Sequence, residues 1–287
     1  MNATVRRWFD EERDVSVLGV ARVAFGILLA ANAVRALREL GRGYFGDVFH
    51  WPLLPEALVP SRSVYAAIVA TQLLLALVAV AGRWRSREAL LASAVLGTYV
   101  LLCDRLQFHH NRWALFCQAF LLSFAPCDRS YRLGPRLPSA TAGPLWAARL
   151  VGLQLSIIYL ASGGSKLLDA DWRSGLVLLE RFHLYASQAI AAGVPAGVVD
   201  VLARPASASV LAKGAIATEL FLAFGLWPAR TRLFALCWGT AFHLVIEATS
   251  RVESFTWLVL ASYLVFVRRL PGRVGGAASR PHWWSTS

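Results

Sequence analysis

Apolar residues along this chain gather into runs of about twenty, separated by short polar connections. A helix of that length crosses the ~30 Å hydrocarbon core of a bilayer. The pattern predicts eight spans, at residues 15–37, 64–82, 89–106, 109–126, 145–165, 207–227, 233–250 and 253–267. The expected fold class is therefore all-α: a polytopic membrane helical bundle of about eight transmembrane helices filling residues 15–268 as one domain. Spans three and four nearly touch at "FHHNRW", which reads as a tight helical hairpin. Residues 166–206 are only half apolar and are interrupted by Gly193, Pro195 and Pro205, which suits a re-entrant or interfacial piece. Residues 1–14 form a charged leading segment. Residues 269–287 are expected to be a disordered tail, with "HWW" at 282–284 resting on the interface.

Composition supports the membrane reading: 57% of the 287 residues are hydrophobic, 16% are charged, and mean hydropathy is +0.52. The start "MNATVRRWFDEERD" is charged and the run behind it is long enough to span, so no cleavable signal peptide is expected. A net charge of +12 would suit nucleic acid. The arginines, however, sit in the connections between apolar runs, which assigns them to topology and lipid headgroups and leaves no nucleic-acid partner to expect. With eight spans and both ends on one side, that side carries fifteen arginines, and the other carries ten Lys or Arg over longer loops. The positive-inside bias then puts both termini in the cytoplasm of a cell whose inner membrane holds the chain. "FHHNRW", "SKLLDADW" and the end of the His243 span fall on the extracytoplasmic face, where three clusters far apart in sequence can meet in one cavity. Cys103, Cys117, Cys127 and Cys237 form no CxxC pair and read as small apolar residues.

Ionisable and amide groups inside spans are costly and face a partner or a cavity. Here they are Arg22, Asn32, Arg149, Gln154, Lys213, Glu219, His243 and Glu247. Arg22 and Arg149 suit pairing with acids or snorkelling. Glu219 lies six residues beyond Lys213, off its face, and so needs another partner. His243 and Glu247 stand at i and i+4 on one helical face, a spacing for a metal-ligand pair or for a histidine held by a carboxylate. The chain has six histidines, with His50, His183 and His282 scattered, too few for a di-iron oxidase, and no metal is expected. Of His109 and His110, about 100° apart on a helix, one faces inward; with Asn111 they can orient a polar ligand or cap a helix.

Lys166 is one of two lysines among 29 basic residues, at the end of an apolar run in "YLASGGSKLLDADW". Unlike arginine, a lysine can lose its proton when desolvated and act as a base. It can equally snorkel beside counter-ions, with Asp169 and Asp171 in that role. Those acids can instead cap a short helix starting near Trp172.

Five collinear stretches resemble a family: "LGVARVAFGILLAAN", "YFGDVFHWPLLPEAL", "DRLQFHHNRWALF", "IIYLASGGSKLLDADWRSG" and "TAFHLVIEATSRVESFTW". Together they resemble the HTTM domain, the membrane part of vitamin K-dependent γ-glutamyl carboxylase and its bacterial relatives, over residues 15–268. The resemblance implies a reduced quinone (vitamin K or menaquinol) as cofactor, with O2 and CO2 as co-substrates. A lysine deprotonates the quinol, oxygen adds, and the strong base so formed takes a γ-proton from glutamate; the quinone leaves as an epoxide. By this resemblance Lys166 is the catalytic base, and His109, His110, Asn111 and His243 bind and orient the quinol. Asp169, Asp171, Trp172, Glu219 and Glu247 are supporting polar residues. The carboxylase has two adjacent lysines where this chain has Ser165, Lys166 and Leu167. Its turn of two asparagines and a histidine is here His109, His110 and Asn111. The carboxylase's large extracytoplasmic region has no counterpart in these residues.

The implied function is an integral membrane enzyme using O2-dependent epoxidation or strong-base chemistry, with a peptide as second substrate. The alternative is a non-catalytic membrane factor for maturation or export of a secreted peptide. Expected partners are membrane lipids, the quinone, and a secreted peptide or a separate extracytoplasmic protein.

Overall fold

The structure is a computed structural model and describes residues 11–45, 50–131, 133, 142–250 and 252–267. Five helices come first: α1 (Ser16–Gly41), α2 (Arg62–Ala81), α3 (Ser86–Leu102), α4 (His110–Ser123) and α5 (Trp146–Leu168). The half-apolar stretch holds α6 (Ala170–Ser174), α7 (Leu176–Ala191) and α8 (Ala196–Leu202). Then follow α9 (Pro205–Gly225), α10 (Ala229–Ser250) and α11 (Phe255–Tyr263), the last extended by a 3-10 turn over Leu264–Phe266. Each predicted span coincides with one of α1–α5 or α9–α11, and the chain is an all-α, multi-pass membrane bundle. Residues 1–10, the tail 269–287 and its "HWW" lie outside the described residues.

Four of the helices, α1, α2, α5 and α9, are both long and apolar enough to cross a membrane. The hairpin between spans three and four is less tight than expected. Asp104 caps a 3-10 turn over Arg105–Gln107, and His109 caps α4, so residues assigned to spans form the turn instead. That leaves α4 with 14 residues, a length of about 21 Å.

Small residues let the helices approach. Ala21, Ala33 and Ala36 of α1, Ala76 and Ala79 of α2, and Ala89 and Ala94 of α3 are all buried, as expected where association depends on close contact rather than on water exclusion. One core joins α1–α5 and α11 around Phe25, Leu90, Leu115, Phe116 and Leu122. A second joins α5, α9, α10 and α11 around Leu155, Tyr159, Leu222, Ala235 and Tyr263. Helix α5 belongs to both.

Arg22 turns into the bundle instead of snorkelling. It is fully buried and donates to the carbonyls of Cys127 (2.9 Å) and Tyr131 (2.5 Å), tying the segment after α4 to α1. Gly82 leaves its space: a Cβ there would stand 2.2 Å from the guanidinium. Arg149 pairs with Glu11. Nearby, strand β1 (Glu12–Asp14) runs antiparallel to β2 (Ala142–Pro144), a ladder too short to leave a periodic trace in the sequence. In α7 a stripe of Leu179, Phe182, Ala186 and Ala189 is half-buried while Glu180, Arg181, His183 and Ser187 are exposed, so this helix lies along the bundle.

Gly175 joins α6 to α7 at φ 88°, and a Cβ there would meet the Ser209 backbone nitrogen of α9 at 2.4 Å. Both the dihedral and the contact exclude a side chain. Gly175→Ala should lower thermal stability in detergent by more than about 1 kcal/mol. Gly164→Ala, where nothing lies within 4 Å, should leave stability unchanged or raise it by up to about 1 kcal/mol.

Candidate functional site

Tyr159, Ser162 and Lys166 recur at spacings of three and four, which places them on one face of α5. That face meets α9 running the other way. Trp227, just after α9, donates to Ser156 Oγ (2.8 Å), and a Cβ on Gly163 would stand 3.1 Å from Leu220 and 3.2 Å from Glu219. Glycine at 163 thus brings the α9 backbone close enough for Glu219 to reach Lys166.

Lys166 Nζ donates to Glu219 Oε1 at 2.5 Å and to Ser162 Oγ at 2.8 Å, and lies 4.9 Å from the centre of the Trp172 ring. The side chains are 17% and 8% exposed, so this is a largely desolvated ion pair. The counter-ion of Lys166 is therefore Glu219, which also answers the need of Glu219 for a partner. Asp169 instead caps α6, accepting from the backbone of Asp171 (2.8 Å) and Trp172 (3.3 Å). Asp171 lies exposed in the first turn of that helix. The short helix supplies the Trp172 ring that covers the ammonium.

Deeper in the bundle, Tyr159 Oη lies 2.7 Å from His243 Nε2 and 2.6 Å from Tyr263 Oη. Tyr159 stands seven residues, about two turns, before Lys166 on the same face of α5, so it links the ion pair to His243. His243 is 1% exposed, with the rings of Phe242, Tyr159, Phe255 and Tyr263 around it. The partner of His243 is thus a tyrosine rather than Glu247, one turn on. Among the described residues, Glu219 Oε2, His243 Nδ1 and Glu247 Oε2 are buried polar atoms with no hydrogen-bond partner. No group of three His, Cys, Asp or Glu that could hold a metal occurs among those residues.

The 109–111 turn is engaged elsewhere. His109 caps α4, its Nδ1 accepting from the Asn111 backbone (3.3 Å); His110 is exposed and stacks on His109. Asn111 is buried and donates to the Val252 carbonyl (3.3 Å). Arg112, buried behind them, donates to Glu253 (3.2 Å) between α10 and α11, and Arg35 of α1 also faces Glu253 (3.9 Å). A cavity of about 20 Å³ beside Arg35 and Arg112 has room for one water. Burial raises the Glu253 carboxyl, but Arg112, His109 and Arg35 together outweigh it and leave the group below its ordinary range. Burial holds His109 below the ordinary imidazole value. Of the three clusters expected to share one cavity, two come together, Lys166 and His243. The turn forms a separate polar cluster that ties α1 and α4 to the α10–α11 connection.

Sequence reasoning missed Ser162, Tyr159 and Tyr263. Ser162 and Tyr159 had a signal, the three–four spacing back from Lys166, hidden because a tyrosine inside an apolar run reads as core; Tyr263, on another helix, had none. The HTTM domain family model matches residues 11–269. No curated protein and no solved structure matches the chain.

Lys166→Met leaves Glu219 buried and unpaired, so it should destabilise the protein by on the order of 3 kcal/mol in thermal or denaturant unfolding. The double variant Lys166→Met/Glu219→Leu should recover most of that loss; no recovery would mean the pair is not coupled. The lowered His109 value sets a second expectation. Below about pH 6.5 the unfolded chain takes up a proton that the folded His109 resists, so stability falls with pH. His109→Asn, which preserves the cap, should flatten the thermal-stability profile between pH 7 and pH 5.

Proposed function

The chain belongs to the HTTM domain family, and on that premise we propose that it is a membrane enzyme that binds a reduced quinone and uses it, with oxygen, for epoxidation and strong-base chemistry. The observation that carries this reading is the Lys166–Glu219 contact of 2.5 Å, with Glu219 Oε2 buried and unpartnered. Three orphaned polar atoms on α9 and α10, within an apolar bundle, suit a ligand with an apolar body and a polar head.

When bound, the reduced quinone would supply an acidic hydroxyl and the reducing equivalents, with oxygen as the oxidant. The protein's part is to hold and move one proton. Nζ of Lys166 and Oε1 of Glu219 share it: with the proton on the carboxyl, Lys166 is a free amine and can accept another. The ammonium so formed leaves a negative charge on the ligand's oxygen and is held by Ser162 Oγ and the Trp172 face, Glu219 being neutral at that stage. An arginine in this place would remain charged and could not serve. His243 and Glu219 Oε2 bind the ligand's oxygens, and the rings around His243 exclude water that would quench a strong base. Glu247, one turn further along α10, would lend a second buried carboxylate oxygen. The site opens on the extracytoplasmic face of the inner membrane of a bacterial cell, where a secreted peptide would be the second substrate and carbon dioxide a co-substrate.

The competing reading is a non-catalytic factor for maturation or export of a secreted peptide. It is favoured by the ammonium's committed hydrogen bonds, which clamp α5 to α9. Purified protein in detergent, given reduced menaquinone or vitamin K and oxygen, should form epoxide detectable by mass spectrometry, and Lys166→Ala should reduce it at least 100-fold, the scale of a general base. Wild type that forms no epoxide above the variant would leave the clamp reading in place.

A further inference from the structure

We infer that Tyr159 and Tyr263 are positioning residues that fix His243 as its Nδ1–H tautomer, so that the buried imidazole presents one proton donor to an acceptor oxygen of a bound ligand. A neutral imidazole has one donor and one acceptor nitrogen, and the partner of one decides the role of the other. A second proton on the ring would bury a charge with no carboxylate bonded to it, so the ring is neutral. Nε2 is committed to Tyr159 Oη at 2.7 Å. That length is the modal O–H value and the short end of the N–H···O range, which suits the phenol as donor. A phenol is also the better acid and an imidazole nitrogen the better base.

Tyr263 completes the polarity of the chain. With Tyr159 donating to His243, Tyr159 Oη is left to accept, and Tyr263 Oη at 2.6 Å donates to it. Every hydroxyl proton then has an acceptor. The one donor left is Nδ1–H, which is buried and unpartnered among the described residues. Glycine at 239 makes the arrangement possible, since a Cβ there would meet Tyr263 Oη at 2.1 Å. The carbonyl of His243 accepts from Thr256 Oγ1 (3.3 Å), fixing α10 against α11 at the same level.

The ligand class follows from complementarity and rests on the proposed quinol reading. His243 Nδ1–H offers a donor and Glu219 Oε2 an acceptor. A hydroxyl oxygen accepts one bond and donates one, so it can satisfy both; a carbonyl can use only the first.

The tautomer can be read without turnover, from 15N spectra of ring-labelled histidine in nanodiscs, with the His243 signal identified by its loss in His243→Gln. Wild type should give a protonated Nδ1 and an unprotonated Nε2 at His243. Tyr159→Phe should move the population towards Nε2–H. Tyr263→Phe, which keeps the Tyr159 bond, should retain the tautomer with a shifted Nε2 signal and supports the inference if Tyr159→Phe does not fold. Nε2–H in wild type, an unchanged spectrum in Tyr159→Phe, or an inverted tautomer in Tyr263→Phe would overturn the inference. Titration with reduced menaquinone should shift the Nδ1–H signal; no shift at His243 refutes the ligand assignment. Absence of epoxide in the enzyme assay would count against the proposed function and leave the tautomer untouched.

Discussion

A lysine and a glutamate that meet inside an apolar bundle govern how α5 and α9 cross. Neither could be left alone there, since a lone charge in that surrounding costs several kcal/mol. Their meeting requires close backbones, and Gly163 provides them. Other features of this half of the molecule follow. Gly175 lets the chain turn from α6 to α7 hard against α9, and that turn holds Trp172 over the ammonium. Asp169 gives up its charge to the start of α6, fixing the helix that carries the tryptophan. The sequence "GSKLLDADWRSG" is thus a set of parts for one ion pair: a close approach, a cation, a cap, a covering ring and a sharp turn.

The two halves of the bundle treat polar atoms differently. In the first half the charged groups are committed: Arg22 to backbone carbonyls, Asp104 to Tyr44 (2.6 Å) and to the backbone of Trp51 and Leu106, and Arg112 to Glu253. Its buried orphans include the neutral amides of Gln72 and Gln118. In the second half the orphans include two carboxylate oxygens and an imidazole nitrogen, and the amide oxygen of Gln154 lies on the shared helix α5. A neutral amide costs on the order of 1–3 kcal/mol when unpaired, and a carboxylate oxygen costs more unless something visits it. These carboxylate and imidazole atoms are the ones the proposed quinol would visit.

The fold was legible because twenty-residue apolar runs are a strong and local signal. The helix ends were less so: Asp104 and His109 redirect the chain by capping, a short-range effect that hydropathy does not see. Lys166, Glu219 and His243 stood out as ionisable groups in apolar company. Their partners did not. Asp169 and Asp171 were nearest in sequence, but Glu219, 53 residues away, made the bond. A carboxylate that can satisfy orphan N–H groups at the start of a helix is already occupied, whereas one inside a span has no other recourse than a cation. Tyr263 carried no signal and that of Tyr159 was masked, because an aromatic in a span looks the same whether its hydroxyl is used or idle.

The scarcity of lysine sharpens the case for Lys166. Twenty-seven of the 29 basic residues are arginine, which sets topology and contacts lipid headgroups as well as lysine does. Lys213, the other lysine, is exposed on α9, where either residue would serve. At position 166 they are not equivalent. Nζ sits between Ser162 Oγ and Glu219 Oε1 at 2.8 and 2.5 Å, beneath an indole face. A guanidinium is planar and wider, and would have to push Glu219 away from the space that Gly163 opened. It would also hold its proton permanently. The geometry admits an ammonium and the proposed chemistry needs an amine. Lysine meets both demands, and in a chain so biased towards arginine its presence at this site is what the proposed proton-handling role requires.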